Sequence, residues 1–158
     1  MRKKRVMITG AGKSGKSTIA GWLDETNGRE KRLANIRYGP RTIDVPAAYL
    51  ECPWMHCHLI DSASDAFCVL MLVDQSRCRE IYPPGFAKVF RAPVLGVITK
   101  SNEYPEKRGL CEQQLKRAGV QPPYYYITGE KESFRELKAV IMNYNRQERR
   151  KKRWICLQ

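Results

Sequence analysis

The sequence lacks a long hydrophobic run, because no apolar stretch among its 158 residues is long enough to span a membrane. No signal-peptide segment follows the basic residues 2–5, so we predict a cytoplasmic protein. The six cysteines form no C-x-x-C pair, which favours reduced thiols over a disulfide framework. The length suits one domain with a substantial core.

Acidic residues are scarce, with 16 against 29 basic ones and a formal net charge of +13. Much of the excess lies in residues 2–5 and in a second cluster near the other end. That cluster contains Arg146, Arg149, Arg150, Lys151, Lys152 and Arg153. Its four arginines recur at i, i+3, i+4 and i+7, so a continued helix would carry an arginine stripe.

Three apolar residues follow this basic segment, Trp154, Ile155 and Leu157. A basic segment with an aromatic end suits an anionic membrane surface or a protein groove. Nucleic acid is a weaker alternative, because no recognition motif accompanies the charge. A solvated end without a partner is the remaining interpretation.

Residues 10–17 read GAGKSGKS and fit the phosphate-binding pattern GxxxxGK[ST] at every fixed position. The apolar run at 5–9 predicts a strand before this loop, and residues 17–23 predict a helix after it. Backbone N–H groups and the helix dipole would then attract phosphates. The predicted phosphate-binding residues are Gly10, Ala11, Gly12, Lys13, Ser14, Gly15, Lys16, Ser17 and Thr18.

Magnesium is the expected cofactor beside a nucleoside triphosphate, either ATP or GTP. Ser17 would place its hydroxyl on Mg²⁺, and Asp44, at a predicted strand end, would hold the ion through a water. An ordinary turn aspartate is the alternative for Asp44. The cluster of Cys52, His56, Cys57 and His58 is not predicted to bind metal, because consecutive helical residues point in different directions.

Strand and helix patterns alternate along the chain. Strands are predicted at 35–38, 42–46, 66–74, 93–100 and 124–127, and helices at 54–63, 106–118 and 134–144. This alternation predicts an α/β fold with a mainly parallel, doubly wound sheet and helices on both faces. Gly10, Asp44, Asp74, Lys100 and Thr128 lie at or just past strand ends and would gather around one nucleotide.

Four segments in order carry a resemblance to a known family: the phosphate loop, IDVPAAY at 43–49, ITKSN at 98–102 and ITG at 127–129. They resemble a small Ras-like P-loop domain and, more narrowly, the EutP/PduV family of ethanolamine- and propanediol-utilisation proteins. The resemblance implies that Thr99, Lys100, Asn102 and Thr128 bind the base. It also implies an accessory role around bacterial microcompartments, whose shell would be a protein partner.

The sequence departs from a working GTPase switch at several positions. Ala47 stands where the switch has glycine, and Asn102 stands where the guanine-reading motif ends in aspartate. No glutamine follows Asp44, and Leu33 or Ala34 falls near the position of the magnesium-sensing threonine. We therefore assign no catalytic residue and expect weak or absent hydrolysis.

The expected organisation is a P-loop domain at 1–145 and a basic tail at 146–158. Two other functions remain open from the sequence. One is a small-acid phosphotransferase, since the family is also linked to acetate kinase activity. The other is a non-catalytic docking module that acts through the tail.

Overall fold

A six-stranded sheet forms the centre of the protein, with strand order β2-β3-β1-β4-β5-β6. The computed structural model describes residues 3–26 and 35–157, so Leu33 and Ala34 lie outside the described part. The strands are β1 (Arg5–Thr9), β2 (Arg37–Tyr38), β3 (Thr42–Asp44), β4 (Ala66–Asp74), β5 (Val94–Thr99) and β6 (Tyr125–Ile127). Neighbouring strands run parallel except β2 and β3.

Helices cover both faces of this sheet, which confirms the predicted fold class. They are α1 (Lys16–Asp24), α2 (Ala48–Glu51), α3 (His56–Ala63), α4 (Arg108–Arg117) and α5 (Arg135–Cys156). Leu59 of α3 and Leu115 of α4 pack on one face, whereas Ile19 of α1 and Leu137 of α5 pack on the other. Strand β4 is buried at every position because it lies between these two layers.

The boundaries agree with the predicted ones to within a few residues, with two informative differences. The helix predicted from residue 54 begins as a 3₁₀ turn, Pro53–Met55, before α3. The last helix continues past residue 144 to Cys156 as one element. The boundary expected between 145 and 146 therefore falls inside α5, and a separate tail stays a prediction.

The parallel strands bring their carboxyl ends to one edge of the sheet. Thr9, Asp44, Asp74, Thr99 and Ile127 end strands β1, β3, β4, β5 and β6. Ligands of open α/β sheets bind at this edge. No helix in the described ranges is long and apolar enough to cross a membrane.

Candidate functional site

The phosphate loop, residues 10–17, joins β1 to α1 and is held mainly by its own atoms. Lys16 Nζ donates to the carbonyl oxygens of Gly10 (3.0 Å) and Ala11 (2.8 Å). Lys16 is only 9% exposed, so its ammonium group is held inside the loop. A buried cation next to the backbone N–H groups of such a loop is suited to binding an anion.

Two glycines allow the loop to close this tightly. Gly15 has φ +90°, a backbone conformation that residues with a Cβ rarely adopt, and it is the N-cap of α1. A Cβ on Gly10 would lie 2.6 Å from Ser14 Oγ and 3.1 Å from Leu72 Cβ. The glycines of the motif are therefore required by the geometry of the turn and by close packing.

Ser14 shows that the loop leaves a polar group without a partner. Its hydroxyl oxygen is buried and has no hydrogen-bond partner among the described residues. An orphaned buried hydroxyl costs free energy unless a ligand accepts its hydrogen bond. With Lys16 beside it, this orphan fits a phosphate group, so the residues present are compatible with a bound nucleotide.

Asp44 lies at the end of β3, buried and next to β1. Burial raises the pKa of this carboxyl above its ordinary value, and the nearby charges of Lys16 and Arg37 oppose that rise. A buried carboxylate within the field of the loop lysine is a suitable oxygen ligand for Mg²⁺. Ser17 is the second residue of α1, directly after the loop lysine.

The base-side residues are tied to the loop through Thr99 and Lys100. Thr99 Oγ1 donates to the carbonyl of Ser14 at 2.8 Å, and Lys100 Nζ donates to the carbonyl of Lys13 at 3.1 Å. The structure thus brings together two segments that the sequence separates by more than eighty residues. This confirms that the ends of β1 and β5 meet at one place.

Asp74 is the ion-pair partner of Lys100. Their Oδ2 and Nζ atoms lie 2.8 Å apart, and the Asp74 side chain is only 4% exposed. Burial alone would raise the pKa of Asp74, but hydrogen bonds from Lys100 and Ser76 outweigh it and hold the pKa below its ordinary value. The pair fixes Lys100 along the loop.

Gln75 shapes the loop after β5, a role that the sequence did not reveal. Its Nε2 donates to the carbonyls of Ser101 (3.1 Å), Glu103 (2.7 Å) and Tyr104 (3.4 Å). Gln75 is fully buried, and a polar residue directly after a buried strand was the available signal. The amide therefore holds the backbone on both sides of Asn102.

Asn102 and Thr128, the other predicted base residues, lie on neighbouring loops. The Asn102 side chain is exposed, and Thr128 is half-buried. Ser101 N–H donates to the carbonyl of Ile127 at 3.1 Å, which joins the two loops. Thr128 N–H in turn donates to Ser133 Oγ at 3.0 Å.

Tyr82 is a second residue that sequence reasoning missed. Its buried hydroxyl donates to the carbonyls of Leu72 (2.8 Å) and Thr9 (3.2 Å), the residue before the phosphate loop. Burial raises the pKa of this phenol well above its ordinary value, so it remains a neutral donor. Tyr82 thereby bridges β1 and β4 under the start of the loop.

Two members of the cysteine and histidine cluster, His56 and Cys57 on α3, have ordinary structural contacts. The His56 ring lies 5.1 Å from Phe86, and its Nε2 is 3.0 Å from the Leu50 carbonyl. Cys57 Sγ donates to the carbonyl of Trp54. Local packing accounts for these residues.

Sequence comparison matches most of the chain to a protein family. The family PduV-EutP, described as ethanolamine utilisation and propanediol utilisation, matches residues 3–143. The propanediol utilization protein PduV of Citrobacter freundii is 28% identical over 123 residues, covering 77% of this chain and 82% of that protein.

Solved structures with a similar fold include two proteins whose descriptions name GTP or a GTP analogue. Translation elongation factor SelB from Methanococcus maripaludis, bound to a GTP analogue, matches 91% of this chain with a TM-score of 0.63 and 20% identity. This chain spans only 34% of SelB. A probable GTP-binding protein engB matches 90% of this chain and 99% of its own length, with a TM-score of 0.64 and 17% identity.

Proposed function

Because the chain belongs to the PduV-EutP family of ethanolamine- and propanediol-utilisation proteins, we propose that it is a nucleoside-triphosphate-binding accessory protein of that catabolism. The observation that carries the proposal is the phosphate loop. Its buried lysine is held against two loop carbonyls, and its buried Ser14 hydroxyl lacks a partner among the described residues. A polyphosphate in the loop gives the Ser14 hydroxyl an acceptor and places anionic oxygens next to the Lys16 ammonium.

Phosphate binding falls to residues 10–18 in this proposal. Lys16 exchanges its carbonyl contacts for phosphate oxygens, and Ser14 donates to one of them. The N–H groups at the start of α1 add donors and the partial positive charge of the helix. The strong positive charge of the whole chain adds attraction for a polyanionic ligand.

Ser17 and Asp44 are the proposed holders of Mg²⁺. When bound, the ion neutralises phosphate charge. The buried carboxylate of Asp44 contributes negative charge at the end of β3, and Ser17 contributes a neutral oxygen. Lys16 stabilises the ionised form of Asp44, so the two residues support each other's charge.

Thr99, Lys100, Asn102 and Thr128 frame the base in this proposal. The ammonium group of Lys100 lies between the Lys13 carbonyl and Asp74, and this leaves its aliphatic stem to pack on a base. Asn102 offers one acceptor and one donor group, whereas the aspartate of guanine-reading motifs offers acceptors alone. We therefore expect weak discrimination between GTP, ATP and XTP.

Turnover is expected to be slow. Ala47 begins α2 at φ −55° and ψ −32°, and its carbonyl accepts from the N–H groups of Leu50 and Glu51. The residue that would have to turn toward a γ-phosphate is thus engaged in a helix. We assign no catalytic residue and propose binding with weak or absent hydrolysis.

The proposed docking partner is a protein assembly such as a microcompartment shell. The proposed location of this protein is the cytoplasm, in association with that assembly. This part of the proposal is supported by membership of the utilisation family. A phosphotransferase acting on a small acid is the second candidate, and it requires acceptor-dependent ADP formation. A docking module that needs no nucleotide is the third.

Calorimetric titration of GTP, ATP and XTP with Mg²⁺ into wild type and Lys16→Ala tests the nucleotide site. We expect heats that depend on Lys16 and differ modestly among the three bases. Heats that are absent, or equal in the two proteins, would contradict the proposed site. Rapid ADP formation that appears only with acetate would favour the phosphotransferase.

A further inference from the structure

Helix α5 continues well past the part that packs on the sheet. Its last buried side chain is Ile141, and Tyr144 is half-buried. We call residues 146–157 the C-terminal segment, in which every described side chain is exposed except those of Glu148 and Lys152. At the rise of an α-helix this segment extends about 15 Å beyond the packed part.

Two basic clusters from opposite ends of the sequence meet at this segment. Lys4 Nζ lies 2.8 Å from Oε1 of Glu148. Glu148 is the one acidic residue between 146 and 157, so its charge is paired with a lysine from the other cluster. The ion pair also places Lys4 beside α5, and Lys3 is its exposed neighbour in the chain.

The arginines of the segment face away from the domain. Ile141, Tyr144, Glu148 and Lys152 recur at helical spacing on the side that meets the rest of the protein. The outward stripe comprises Arg146, Arg149, Arg150 and Arg153, all exposed. Four guanidinium groups on one exposed face form a surface for phosphate or carboxylate groups.

Large apolar side chains lie at the end of the same helix. Trp154 is 73% exposed, Ile155 is 70% exposed and Leu157 is 83% exposed. Trp154 and Ile155 are consecutive, so they point to different sides of the helix and form an apolar end rather than a face. Large apolar groups grouped beside cations indicate an interaction site.

We propose that the C-terminal segment, with Lys3 and Lys4, binds peripherally to the surface of an anionic lipid bilayer. The arginine stripe contacts lipid phosphates and carboxylates, Trp154 lies at headgroup depth, and Ile155 and Leu157 enter the acyl boundary. A bilayer satisfies both parts of the segment, because it offers anionic headgroups next to an apolar interior. Nucleic acid would pair with the cations but would leave the apolar end in water.

Cosedimentation with vesicles tests this surface on the full chain. Phosphatidylcholine vesicles are compared with vesicles that contain about 30% phosphatidylserine, at about 0.15 M salt. The stripe variant is Arg146→Gln, Arg149→Gln, Arg150→Gln and Arg153→Gln. We expect it to lose at least about 100-fold in partitioning onto anionic vesicles. A second variant combines Trp154→Ser, Ile155→Ser and Leu157→Ser. Its partitioning onto anionic vesicles should fall about tenfold.

The matched control removes four exposed cations elsewhere, Arg91, Lys116, Lys131 and Arg135, each replaced by glutamine. It should partition within about threefold of wild type, because its charges lie off the segment. Equal losses in the stripe and control variants overturn the proposal. Equal binding to both vesicle types overturns it as well, as does tighter, stripe-dependent binding to duplex RNA or DNA.

A measurement on the native sequence covers the case in which the stripe variant fails to fold. The emission of Trp154 is obtained by subtracting the fluorescence spectrum of Trp154→Phe from that of the wild type. Anionic vesicles should shift this emission to shorter wavelength, and added salt should reverse the shift. An unshifted emission in the presence of anionic vesicles overturns the proposal.

Discussion

The two halves of the candidate site are built in different ways. The phosphate half is one contiguous segment, residues 10–17, in which Lys16 binds carbonyls five and six residues before it. The base half is assembled from the ends of β4, β5 and β6, and Gln75 reaches 26 to 29 residues along the chain to hold it. Local geometry makes the first half, and tertiary structure makes the second.

This difference teaches where the site tolerates change. The phosphate half depends on glycine conformations and on one lysine, so substitutions at those positions should weaken binding most. In the base half, the Gln75 side chain holds the backbone of the loop. The side chain predicted to recognise the base, Asn102, is exposed and takes no part in the Gln75 contacts. Substitutions at that side chain should change preference and leave the phosphate half intact.

Lys16→Ala should produce the largest effect and break the phosphate half alone. It removes charge-assisted hydrogen bonds to phosphate, so affinity for Mg²⁺-triphosphate should fall on the order of 100-fold, for inorganic triphosphate and nucleotides alike. Calorimetry measures both. Lys13→Ala is the comparison within the same loop. This variant should lose much less affinity, because Lys13 contacts Lys100 through its backbone carbonyl, which alanine retains.

Lys100→Ala should break the base half alone. Nucleotide affinity should fall about tenfold, because the base loses the lysine stem, while affinity for inorganic triphosphate should fall much less, since Lys100 contacts the loop only through the Lys13 carbonyl. Fluorescent-nucleotide displacement by each ligand measures the difference. A parallel loss for triphosphate would show that the two halves are not separable. Lys116→Ala, an exposed lysine on α4, is the control.

Asn102→Asp should sharpen the comparison by changing preference only. Two acceptors facing guanine N1–H and its exocyclic amine should raise the preference for GTP over XTP about tenfold. Competition of the two nucleotides for the same site measures this ratio. An unchanged ratio would remove Asn102 from the base site.

Ser14→Ala should have opposite effects on the free and bound protein. Removing the orphaned hydroxyl should stabilise the free protein by about 1 kcal/mol, and triphosphate affinity should fall a few-fold. Thermal unfolding with and without triphosphate reports both. Ser64→Ala, which removes an exposed serine that donates to the Asp61 carbonyl, should show no such stabilisation. A destabilised Ser14→Ala protein would mean that the hydroxyl is satisfied before ligand binds.

Acidification should show the smallest effect, through Asp44. Its folded pKa is raised above the ordinary 3.8, so a proton binds more tightly to the folded protein than to the unfolded one. As the pH falls, the Asp44 carboxylate should begin to take up a proton while the pH is still above 3.8. The Mg²⁺-dependent part of triphosphate affinity should therefore already weaken in that range. Asp44→Asn should be more stable than wild type at neutral pH and converge with it in acid. A pH-independent difference would exclude titration of Asp44.

Sequence reasoning reached the parts of the fold that periodicity and a motif encode. The run from 66 to 74 is apolar throughout because β4 is covered on both faces, and its predicted bounds are those of the strand. The GAGKSGKS motif located the loop because its geometry is local. Gln75 and Tyr82 escaped, since their partners are carbonyls chosen by tertiary packing rather than by neighbours in sequence.

The sequence predicted the last helix only as far as residue 144 and left its continuation open. Residues after 144 lack a buried face, so helical periodicity gives no sign of where the helix ends. The ion pair between Lys4 and Glu148 was likewise beyond reach, because it joins opposite ends of the chain.

The Gln75 amide has a consequence for how this protein can diversify. Because one buried side chain supports the backbone on both sides of position 102, the loop does not depend on the identity of that residue for its shape. In the proposed function, a substitution at this position therefore changes which base the loop prefers at little cost in folding.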